Sequence, residues 1–204
     1  DWRTEGKTQT VNAIDYDSDG DLNVLAFDAM SYDKSMADKD TNDIDSEEFN
    51  DAANTDEIHV YVNGKHTQLT DNAAADMTPV VSVKNGKAIV VWQSDTYDLQ
   101  TISETSVQED AQGEKKLYFS YYDGTTWSTP ECLENGEIKG VQSYDVTLSD
   151  DGKAMVLASM GSGDRLQERE LFSYLIEEGT VKSINRVTCN DCGETQPRVK
   201  YVTD

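Results

Sequence analysis

Residues 79–92 read Pro79-Val80-Val81-Ser82-Val83-Lys84-Asn85-Gly86-Lys87-Ala88-Ile89-Val90-Val91-Trp92. Two β-branched runs flank an Asn-Gly pair, which accepts the positive φ values of a two-residue hairpin turn, so the stretch predicts a β-hairpin. Similar units stand at Val11–Phe27, around Ser18-Asp19-Gly20, and at Tyr144–Ala158, around Asp150-Asp151-Gly152. Gly20, Gly86 and Gly152 recur at intervals of 66 residues, and such a period marks a repeat array. A second hairpin follows each first one: Glu57–Val62 turning at Asn63-Gly64 into Lys65–Leu69, Lys116–Tyr122 turning at Asp123-Gly124 into Thr125–Ser128, and Glu170–Ile176 turning near Glu178-Gly179 into Val181–Val187. Each unit is then four antiparallel strands, the size of a propeller blade.

The expected fold is therefore all-β, a β-propeller segment of three complete blades with part-blades at both ends. Residues 1–10 are assigned to the end of a preceding blade, 11–77 to blade one with an acidic insertion at 28–56, and 78–142 to blade two with an insertion at 94–114. Blade three is placed at 143–195, and 196–204 is expected to be the first strand of a following blade. Propellers close with about four to eight blades. The segment thus calls for the remaining blades of a longer chain or a homo-oligomer that completes the ring. An open stack of three sheets is the competing architecture.

Forty acidic residues against seventeen basic ones give 204 residues a net charge of −23, which opposes a nucleic-acid backbone and an anionic membrane surface as partners. No window has the apolar length of a membrane span. Three cysteines make no disulfide scaffold. Acidity and repeat type together suggest an extracellular or cell-surface location. In a propeller both insertions emerge on one face. The first holds Asp33, Asp38, Asp40, Asp43, Asp45, Glu47, Glu48 and Asp51 against Lys34 and Lys39, so the rim is expected to be a solvated acidic loop and the place where binding would sit.

The segment Tyr121–Pro130, together with residues 79–92, resembles the sialidase-like (Asp-box, or BNR-repeat) propellers. Ser120, Gly124 and Trp127 keep that motif's spacing, while Tyr122 holds the aspartate position and Asp123 comes one residue late. The resemblance implies an enzyme only with the arginine triad and acid/base set of that family. The five arginines, Arg3, Arg165, Arg169, Arg186 and Arg198, do not stand in that setting. What it implies instead is a non-catalytic binding or scaffold module for a glycan or protein partner. The alternative is a fragment of a glycoside-processing propeller whose catalytic residues lie outside this segment.

The densest chemical motif is Asp15, Asp17, Asp19, Asp21 and Asn23 around Gly20, which has the spacing of a calcium loop without an acid at its twelfth position. It resembles the Asp-rich hairpin of FG-GAP and VCBS repeats. Structural Ca2+ and a plain Asp-rich turn are both open readings. Cys189 and Cys192 suit a local disulfide better than half a zinc site. His59 and His66 read as sheet histidines, and Tyr118, Tyr121, Tyr122, Trp92 and Trp127 as inter-blade core rather than a sugar platform.

Overall fold

The computed structural model describes residue 3 and residues 5–97, 115–133, 140–161, 169–190 and 192–202. Among the described residues, twelve strands form three four-stranded antiparallel sheets in sequence order. The first holds β1 (Lys7–Asp19), β2 (Leu22–Asp33), β3 (Glu57–Val62) and β4 (Lys65–Gln68). The second holds β5 (Ala75–Lys84), β6 (Lys87–Asp95), β7 (Lys116–Tyr122) and β8 (Glu131–Cys132). β9 (Val141–Leu148), β10 (Lys153–Gly161), β11 (Arg169–Glu177) and β12 (Thr180–Arg186) make the third. Hydrogen bonds tie β1 to β5 and β5 to β9, so the first strands of successive blades are neighbours and the fourth strands lie at the far edges. The fold is an all-β, propeller-like segment.

Period-two alternation explains the core. On β6, Ala88, Val90 and Trp92 pack against Leu22, Val24, Ala26, Ile58 and Val60 of the first blade. Ile89 and Val91 point the other way, toward Val146, Val156, Phe172 and Tyr174 of the third. The middle sheet is buried on both faces, which is why its strand reads as an unbroken apolar run.

Several boundaries differ from those expected. Lys7–Thr10 belong to β1, since Lys7 to Val11 pair with Asp33 to Ala29. β2 consequently continues through Asp33, and the first insertion begins at Lys34 rather than Asp28. That insertion is not a plain loop. It carries α1 (Lys34–Ala37), a 3-10 turn at Thr41–Asp43 and α2 (Ser46–Ala53). Asp45 caps α2 reciprocally with Glu48, and Ala52 and Ala53 are buried where the helix meets the blade. In blade two, residues 125–128 form only an isolated Tyr122–Trp127 bridge, and the fourth strand is the two-residue β8. Most of the second insertion and the short 162–164 loop lie outside the described residues. Among the described residues, no helix is long and apolar enough to cross a membrane.

The glycine period conceals a shift. In the first hairpin Asp19 pairs with Leu22, so Gly20 is the first loop residue, whereas Lys84 pairs with Lys87 and Gly86 is the second. Only Gly20 has positive φ in its loop, while Asn85 and Gly86 both do. The two loops match the two primed turn forms, and structurally equivalent residues of β1 and β5 are 65 apart, as in Asp19 and Lys84.

Candidate functional site

The Asp-rich stretch lies at the first inter-blade junction. β5 is an edge strand paired only with β6, and its outward amides need acceptors. The Oδ2 atoms of Asp15, Asp17 and Asp19 accept the N–H groups of Val81, Val83 and Asn85 at 2.8, 2.6 and 2.8 Å. These are charge-assisted bonds, the stronger kind. The Asn85 amide and the Lys84 ammonium hold the Asp19 carboxyl below its ordinary value. Lys84 lies 3.3 Å from Asp19 and 3.4 Å from Asp150, and so bridges all three blades.

This geometry gives Asp15, Asp17 and Asp19 a structural use beside the calcium loop expected of them. Alternate residues of an extended strand stand about 6.6 Å apart, whereas oxygens around one Ca2+ lie within roughly 2.6 Å of a common point. Asp21 is exposed in the turn, and Asn23 accepts from the Tyr16 hydroxyl and donates its N–H to Asn63 Oδ1. No group of three or more His, Cys, Asp or Glu among the described residues is arranged to hold a metal ion.

The other junctions follow the same rule. Ser82 Oγ accepts from the Leu148 amide at 3.0 Å. Residues 196–202, expected as a strand, form no backbone ladder, but they run beside β9, where Ser143, Asp145 and Thr147 accept the amides of Gln196, Val199 and Tyr201.

Toward the end of the blades that carries the insertions lies a group of buried carboxyls that the sequence reading missed: Asp28, Asp56, Glu57 and Asp76 are 0, 3, 7 and 1% exposed. Asp28 accepts from the Asn12, Ala13 and Thr78 amides, which irregularities in β1 and β5 release from their ladders. Burial nonetheless raises its pKa. Asp76 accepts from Trp92 Nε1 and Asn72 Nδ2. Asp56 accepts from Asn12 Nδ2, while its other oxygen is buried without a partner, as is Glu57 Oε2. Burial, then the charge of Asp28 and more weakly those of Glu57 and Asp76, push Asp56 up to about 8. Glu57 rises to about 7, chiefly through burial. Both therefore hold protons close to neutrality. Being enclosed, they are not presented to a substrate.

On the face of blade one turned away from blade two, Phe27, His59, His66 and Tyr61 form a ring cluster, with His59 Nδ1 and His66 Nε2 3.1 Å apart. Burial and the second imidazole lower His59 to about 4, so it is neutral at physiological pH. Trp92 and Tyr121 are core residues, and Tyr118, Tyr122 and Trp127 pack onto the core between the first two blades. Arg186 pairs with buried Glu170, a structural use. Cys189 and Cys192 are exposed, unbridged thiols rather than the expected disulfide.

Two surfaces remain. A cleft of about 390 Å3 lies along the first strands, lined by Ile14, Tyr16, Thr78, Val80, Asp145 and Arg198 among others. The insertion exposes Asp38, Asp40, Asp43, Asp45, Glu47 and Asp51. It is fastened to the start of the second insertion by paired 2.9 Å bonds between the Asn54 side chain and the Tyr97 backbone, and by a Phe49–Tyr97 edge contact.

No protein-family model and no curated protein matches the chain. Among solved structures, the α-L-arabinofuranosidase Arb93A from Fusarium graminearum, in complex with an iminosugar inhibitor, is similar at 11% identity and a TM-score of 0.42. The match covers 88% of this chain and 58% of that one, so this chain spans less than two thirds of the length of the structure it matches.

Proposed function

We propose that this chain is a non-catalytic propeller-like binding and scaffold segment, related to the sialidase-like propellers and displayed outside the cell, whose acidic rim engages a protein or glycan partner. The observation that carries the reading is the fastening of Asn54 and Phe49 to Tyr97, which joins the first insertion to the start of the second. Charge favours a basic protein patch within the partner class, because Asp38, Asp40, Asp43, Asp45, Glu47, Glu48 and Asp51 share residues 34–51 with only two basic residues, Lys34 and Lys39. Remaining blades, or further subunits, would complete the ring around it.

The test is titration with an oligolysine peptide and, separately, with neutral oligosaccharides, against the chain and against Asp40→Asn/Asp43→Asn/Glu47→Gln. Peptide binding that weakens with salt and falls about tenfold or more in the variant supports the rim. Binding unchanged by the substitutions, or turnover of a chromogenic arabinofuranoside or sialoside, overturns the reading.

A further inference from the structure

Three inner-strand edges follow one rule. The amides of Val81, Val83 and Asn85 are capped by Asp15, Asp17 and Asp19, that of Leu148 by Ser82, and those of Gln196, Val199 and Tyr201 by Ser143, Asp145 and Thr147. In each case a strand offers short acceptor side chains to the backbone N–H groups of its neighbour, at alternate positions in the first and third and through one serine in the second.

The fourth edge is that of β1 itself. Counting from the two-residue loops, the equivalents of Val81 and Val83 are Tyr16 and Ser18. Ser18 N–H turns to its own neighbour, Asp17 Oδ1, at 2.8 Å. The Tyr16 amide points away from β2, and among the described residues it has no acceptor. The side chains above this edge match it: Ile14 and Tyr16 are 62 and 54% exposed, whereas Val81, the equivalent of Tyr16, is 5% exposed beneath the preceding blade.

We infer that the β1 edge is a docking surface for a further four-stranded blade whose innermost strand presents Asp, Ser or Thr at alternate positions toward the amides of Tyr16 and Ser18. A second copy of this chain is the poorer occupant, because each of its own acceptor ladders is engaged by the next stretch of the same chain. Continuity with the two inter-blade junctions already described supplies the orientation: apolar side chains of the incoming blade cover Ile14 and Tyr16 while its acceptors meet the edge. The rim ligand plays no part in this inference, so either can fail without the other.

The probe is a cyclised hairpin of residues 141–161, which carries Ser143, Asp145 and Thr147 without the segment that normally engages them. Closure is needed because isolated two-stranded hairpins are marginal in water. Amide exchange of the chain is read by NMR. The expected result is exchange at Tyr16 and Ser18 slowed about tenfold at a hairpin concentration ten times its Kd. A hairpin carrying Asp145→Val and Thr147→Val gives no slowing. On the protein side, Tyr16→Pro removes the one N–H at a position outside the β1–β2 ladder, where proline is tolerated, and loses the hairpin; Tyr16→Phe keeps it. Should Tyr16→Pro fail to fold, the acceptor-free hairpin alone decides. Equal slowing by both hairpins, no slowing by either, or protection that rises with protein concentration alone overturns the inference.

Discussion

Asp56→Asn tests the buried carboxyls most directly. The Asp56 carboxyl goes from an ordinary value of 3.8 to about 8 in the fold. Between those values the folded chain holds a proton that the unfolded chain has released. Unfolding therefore gives up a proton, and stability falls as pH rises through the window, by about 1.4 kcal/mol per unit. The contribution is fully present below about pH 4 and lost once pH passes about 8. From pH 5 to 7.5 this one group removes about 3 kcal/mol, a large part of the usual 5–15 kcal/mol for a domain. Asparagine keeps the shape and the acceptor for Asn12 but cannot titrate. Urea unfolding of both proteins at pH 5, 6, 7 and 7.5 should show the wild type losing about 3 kcal/mol relative to the variant. Glu57, which rises from 4.5 to about 7, leaves a smaller slope of the same sign in both proteins. Parallel profiles for the two proteins would show that Asp56 is ionised in the fold and refute the reasoning.

Two further predictions concern the connections. Asp17→Ala leaves the Val83 amide uncapped and should cost about 1–3 kcal/mol in urea unfolding, with no rise in melting temperature on adding Ca2+ to either protein; a calcium-dependent rise lost in the variant would favour the metal reading over the amide-capping one. Asp45→Ala removes the reciprocal cap of α2 and should cost about 1 kcal/mol, with faster amide exchange confined to residues 46–53, and unchanged exchange there would count against the cap.

The hairpins were legible because Asn-Gly turns and alternating apolar residues are local signals, and Asn85-Gly86 with its flanking valines sits where they place it. What Asp15, Asp17 and Asp19 do was not legible. An aspartate in a turn-rich stretch looks the same whether its carboxylate meets a cation or an amide 66 residues further on, and only the packing of β5 decides. The capping box was visible as Asp45 and Glu48 three residues apart, but charge density in the insertion masked it. Asp28 and Asp56 gave no local sign of burial, since one lies within a long strand and the other just before one. Their enclosure comes from contacts with Asn12 and Thr78, distant in the chain.

The two boundaries between blades are built of different materials. Four carboxylates, Asp15, Asp17, Asp19 and Asp28, and a modest apolar patch close the first, whereas the second has mainly neutral bonds, from Ser82 and the Tyr144 hydroxyl, beside the exposed Lys84–Asp150 pair, and a much broader oily surface that includes Phe119, Phe172 and Tyr174. Apolar attraction fades on cooling while salt weakens charged contacts, so chilling should loosen the later boundary first and brine the earlier one. One polypeptide thereby carries two seams that yield to opposite solvents.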